Sequence, residues 1–143
     1  MRLFLKFILF ACLVFTTISC GSDKVDQNQM LRDEVITIHD EVMPHMGELK
    51  SLRKKIDSKA NSLEEEDTVA NSEKILELRL LAKDLDDAFD GMFVWMRQFK
   101  SSNEGMTDEE LNSYLNEQKI MVTKVNDDIN NSMARAKNEL QNE

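Results

Sequence analysis

Three apolar stripes constrain this chain more than any other feature, because each repeats at alternating steps of four and three residues. The first is Leu31, Val35, Ile38, Val42, His45, Leu49, Leu52 and Ile56. The second is Ile75, Leu78, Ala82, Leu85, Phe89, Met92, Met96 and Phe99. The third, Leu111, Leu115, Gln118, Val122, Val125, Ile129, Ser132 and Ala136, keeps the step and lapses to polar residues at Gln118 and Ser132. Such spacing puts one face of a helix against a neighbour over many turns. The pattern predicts an all-α fold of three helices, each about 45 to 50 Å long at 1.5 Å per residue. Four glycines and one proline leave few turn residues for a sheet.

The punctuation between stripes sets the expected topology. Thr107 followed by Glu110 reads as a capping box, with Met106 placed to staple onto Leu111, so the third helix is expected to start at Thr107. The turn before it, Ser101 to Gly105, is short, which makes the second and third helices antiparallel neighbours. The first connection is expected at about Asn61 to Asn71 and carries Glu64-Glu65-Glu66-Asp67, a run of like charge that reads as solvated loop. The simplest arrangement is an up-down-up antiparallel three-helix bundle with coiled-coil-like seams. A two-helix hairpin with its third helix swapped into a partner is the rival, since the polar lapses weaken the third seam.

The start of the chain has a different character. Arg2 and Lys6 precede an apolar run from Phe7 to Phe15, and Thr17-Ile18-Ser19-Cys20 closes it. A basic start, a short apolar core and a small residue before the cut make a secretory signal. A membrane span needs roughly 20 apolar residues, and Lys6 with Thr16-Thr17 leaves fewer. The closing tetrad resembles the bacterial lipobox, with Thr17 in place of the usual leucine. That resemblance implies cleavage before Cys20 and lipidation of its thiol and new amino group, of the palmitoyl kind. Several acyl chains at about 0.8 kcal/mol per buried methylene hold a protein to a membrane durably. The expected organisation is a signal peptide over 1–19, lipidated Cys20 and a polar tether over 20–28, and a helical bundle over 29–143.

Cleavage there removes Arg2 and Lys6 and no acid, so a formal charge of −9 becomes −11 in the mature chain. Such a chain repels nucleic acid, which is not expected as a partner. Cys12 lies in the signal, and Cys20 is consumed by lipid, so disulfides, thiolate metal sites and cysteine nucleophiles drop out. No glycine-rich phosphate loop or nucleophile elbow is present, and the Glu-x-x-His motif of di-iron bundles is missing, since Ile36 and Val42 stand three residues before His39 and His45. The chain is not expected to be an enzyme.

One segment stands out locally, His39-Asp40-Glu41-Val42-Met43-Pro44-His45-Met46-Gly47. Proline within a helix costs about 3 kcal/mol. The apolar phase runs through it from Val42 to His45 to Leu49, so a continuous first helix kinked at Pro44 and loosened at Gly47 is expected. His45 then sits on the seam as a hydrogen-bonded imidazole. If the first two helices pair about the acidic connection, His39 and Met43 come near Met92, Trp95 and Met96. Thioethers, an imidazole and an aromatic face suit Cu(I) or Ag(I), and the candidate donors are His39, Met43, Met46, Met92 and Met96. The competing reading makes these methionines core fillers. Trp95 is expected in the core, and Phe93 either in the core or in an exposed partner patch.

His39 to Pro44 with Met46-Gly47-Glu48, and Met92 with Trp95-Met96 and Phe99, make the chain resemble a group of small Gram-negative lipoproteins, some labelled "viral A-type inclusion protein". The resemblance covers the signal and the first two helices and carries no function over. The expected role is that of a lipid-anchored envelope protein, placed at the outer membrane, that acts without catalysis as a helical interaction or structural module toward a protein partner or itself. A soft-metal binder and a chaperone-like or stress-sensing bundle are the alternatives.

Overall fold

The structure, a computed structural model, describes residues 27–142. The stretch read as a signal, Cys20 and the expected tether as far as Asp26 lie outside the described residues. Four α-helices and one 3-10 turn follow: α1 (Gln27–Val42), the turn Met43–His45, α2 (Met46–Asp67), α3 (Ser72–Gln98) and α4 (Asp108–Gln141). Because the turn joins α1 to α2 without leaving helical backbone, these elements form three long helices. Among the described residues there is no strand. Helix α1 starts at Gln27, inside the stretch read as tether. There Asn28 is already buried, donating to the Asp108 carbonyl at 3.0 Å and accepting from Asn112 at 2.9 Å.

Polar pairs show which faces meet. Between the first long helix and α4 the partner numbers rise together: Glu34 pairs with Lys119 at 2.6 Å, the Ile38 carbonyl accepts from Asn126 at 3.0 Å, and Glu48 pairs with Lys137 at 2.9 Å. Between α2 and α3 they run oppositely, with Arg53 on Asp86 at 2.9 Å and Arg79 bridging Asp57 and Glu64. The same opposition relates α3 to α4, through Asp84 with Arg135 at 2.6 Å and Lys74 with Glu139 at 2.8 Å. Inside these pairs lie Val35, Val42, Leu49, Ile56, Leu78, Leu85, Met92, Leu115, Val122 and Ile129, all fully buried. Each large apolar side chain so buried contributes about 1.5 to 3 kcal/mol of transfer free energy.

The 3-10 turn lets the proline be accommodated. Pro44 occupies its first positions, where a missing N–H breaks no regular bond, and α-helix resumes at Met46, whose N–H bonds to the Met43 carbonyl. The seam shifts here. His45 is exposed, 3.8 Å from Glu48, and Met46 takes the buried position instead, at 7% exposure. Both residues border the stripe, and a thioether is buried without a hydrogen-bond partner at little cost whereas an imidazole incurs a desolvation penalty. Trp95 likewise takes the seam position expected for Met96, because its larger apolar area gains more from burial.

The first connection is shorter than expected. Helix α2 runs on through the acidic run to Asp67, and only Thr68 to Asn71 turn. The end is stabilised locally: the Asp67 carboxylate accepts from the Val69 and Ala70 amides at 3.0 and 2.9 Å, while the Asn71 side chain donates to the Leu63 carbonyl at 3.1 Å. Arg79 offsets the charge of Glu64. At the other connection the capping box is complete, with Glu110 N–H donating to Thr107 Oγ1 and Thr107 N–H to Glu110 Oε2. Gly105, at φ 80°, makes the left-handed turn before it.

Candidate functional site

The chemistry-bearing residues gather where α1, α3 and α4 meet below the 99–107 connection. His39 lies against Trp95, ring centroids 5.5 Å apart; Trp95 stacks on Phe99 at 5.0 Å, and Phe99 on Tyr114 at 6.3 Å. Arg32 covers the outer face of Phe99 at 5.9 Å and donates to the carbonyls of Lys100 and Ser101 at 3.2 and 3.1 Å. Tyr114 accepts from the Lys100 N–H at 2.6 Å. These bonds close the connection over the aromatic column, so that Trp95 is only 3% exposed.

Besides Arg32 Nη2 at its edge, two nitrogens inside this column lack partners. His39 Nδ1 is 2.8 Å from the Asp40 carboxylate, which can only accept, so the neutral ring carries its proton on Nδ1 and leaves Nε2 as a bare lone pair. That Nε2 is buried without a partner, as is Trp95 Nε1. The third helix adds Gln118, whose Oε1 is also buried and unpartnered while its amide donates to the Met121 sulfur at 3.8 Å. Two turns further along, Asn126 clamps α1 through the Ile38 carbonyl and Glu41 Oε2.

The candidate donors separate accordingly. His39 meets Trp95 as the pairing of helices one and two implies. Met92 is fully buried one turn before Trp95, and Met43 is half-buried against the same core. Met46 is buried two turns beyond His39, roughly 10 Å along the axis. Met96 turns outward at 38% exposure. Pro44 and Gly47 are both exposed, and nothing lies within 4 Å of a side chain built on Gly47. Met121 and Gln118 belong to this region and were not anticipated as a site. Only the seam position of Gln118, a polar residue among apolar ones, signalled it. Phe93 is half-buried against Phe89 at 4.8 Å.

Among the described residues no group of three or more His, Cys, Asp or Glu converges on a point, and no helix is long and apolar enough to cross a membrane. A different surface feature lies toward the opposite end of α3. Leu76 and Leu80, one turn apart on one face, are 61% and 53% exposed; Glu73, Lys83, Asp84 and Asp87 share that face, with Asp87 paired to Lys83 and Asp84 to Arg135. No protein-family model, curated protein or solved structure matches the chain.

Proposed function

We propose that the chain is a lipid-anchored envelope protein of the outer membrane that works without catalysis, as a helical module binding a protein partner. Its architecture in this reading is an up-down-up antiparallel three-helix bundle whose first helix bends at Pro44, hung from the membrane by acylated Cys20. The observation that carries the interaction is the Leu76–Leu80 face, two large aliphatic side chains left in water on a helix whose other leucines are buried. Contiguous exposed apolar surface of this kind marks contact sites. The net charge of the whole chain favours a basic amphipathic segment over a second copy of this acidic molecule.

A synthetic amphipathic peptide of lysine and leucine, titrated at physiological ionic strength, tests this. The parent is expected to bind it, and the double variant Leu76→Ser/Leu80→Ser to bind at least tenfold more weakly with its helix content unchanged. Equal affinity for both overturns the assignment of the face, and concentration-dependent dimerisation of the parent that the double variant abolishes assigns the face to a second copy instead.

A further inference from the structure

We propose that the end of the bundle below the 99–107 connection holds a soft-metal site, in which His39 Nε2 and the thioethers of Met43 and Met92 bind one monovalent d10 ion, Cu(I) or Ag(I), against the face of Trp95. The argument starts from the imidazole. A buried ring nitrogen with a bare lone pair is an unsatisfied acceptor, and its cost is removed by a donor or by a metal ion. The Asp40 carboxylate on Nδ1 fixes both tautomer and ring orientation, as outer-sphere carboxylates do for metal-binding histidines.

The surroundings select the ion. The ring lies 5.5 Å from the indole at a tilt of 37°, and an indole face attracts a cation through its quadrupole. Met43 stands four residues after His39, in the turn that follows α1, and Met92 three residues before Trp95 on α3; both pack on the same core cluster, and the opposite running of the two helices puts them at corresponding levels. On the third side, Gly91 faces Val125 across α3 and α4, which sets Met121 one turn away at the level of Trp95. Its sulfur, already aligned by the Gln118 amide, is the available fourth donor. Thioether and imidazole ligands favour Cu(I) and Ag(I) over hard divalent ions. Charge is provided for as well: Asp40 and Glu41 stand beside the site to balance a single positive charge. Access runs along the solvent edge of His39, whose side chain keeps 17% of its surface exposed.

Trp95 is the chain's single tryptophan, so its emission reports on this site alone. The experiment titrates Ag(I), in chloride-free buffer, into the full chain carrying Cys12→Ser and Cys20→Ser, which leaves no thiol to compete. Quenching of Trp95 is expected to saturate at one equivalent. His39→Gln and the double variant Met43→Leu/Met92→Leu are expected to weaken binding at least tenfold, with helix content by circular dichroism unchanged, while Met30→Leu, on the exposed part of α1, binds as the parent does. Unquenched emission at one equivalent overturns the proposal, and so does parental affinity in either of the two site variants. Failure here leaves the Leu76–Leu80 reading untouched, because the two rest on opposite ends of α3.

Discussion

Gln118 and Asn126 are both polar and both buried on α4, yet they do opposite things to stability. Asn126 spends its amide on the Ile38 carbonyl and Glu41, and its oxygen accepts from Asn130 at 2.7 Å. Gln118 leaves Oε1 without a donor. Replacing a group that is already unsatisfied relieves a penalty, whereas removing one partner of a satisfied set creates one. Gln118→Leu is therefore expected to raise stability by about 1 kcal/mol, and Asn126→Leu to lower it by about 1 to 3 kcal/mol, in urea unfolding followed by circular dichroism. The seam itself was readable from spacing at Val35, Leu49, Leu85 and Ile129. It was not readable at His45 and Met96, because a step of three and a step of four both stay on the stripe and the pattern does not choose between neighbours. Desolvation chooses, taking Met46 and Trp95 inward.

Helix boundaries follow the same division between local and distant causes. The start of α4 was legible because its cap is written within four residues, and Thr107→Ala is expected to cost about 1 kcal/mol. Glu110 closes the same box, and the Thr107 backbone N–H holds its carboxyl below the ordinary range. The far end of α2 was misread as loop because what keeps its acids helical includes Arg79, which comes from another helix. Near Pro44, the 3-10 turn absorbs the proline, and Gly47 follows in α-helix with open space around it. Gly47→Ala is expected to stabilise by about 0.5 to 1 kcal/mol by reducing the freedom of the unfolded chain, measured as a shift in the urea midpoint at constant slope. The aromatic column was only half legible. The pairing of the first two helices places His39 by Trp95, while Tyr114, Gln118 and Met121 arrive from α4, whose placement the first two stripes do not encode.

At the scale of the molecule, Glu139 ties the ends of the helices together. Lys74 on α3 and Lys59 on α2 both reach it, at 2.8 and 3.2 Å, and its carboxyl is held below its usual value first by the hydrogen bond from Lys74. A carboxylate lowered in the folded state contributes stability above its ordinary range and loses it as pH falls through the folded value. Stability is therefore expected to decline as pH falls from the ordinary carboxylate range through the lowered folded value, with a shallower decline in Glu139→Gln, in unfolding curves taken across that range. The same junction tests topology. Zero-length carbodiimide coupling of the Lys59 amine to the Glu139 carboxylate is expected to yield an internally cross-linked monomer, and a cross-linked dimer would show α4 swapped between copies. In the proposed function this architecture is held at the membrane by acylated Cys20, and the account stands on that attachment. Intact-mass analysis of protein extracted from the membrane fraction of its own cells measures it directly. The account predicts a chain beginning at Cys20 and carrying several acyl chains, and a chain with an unmodified Cys20, or one cut elsewhere and recovered in the soluble fraction, would contradict it.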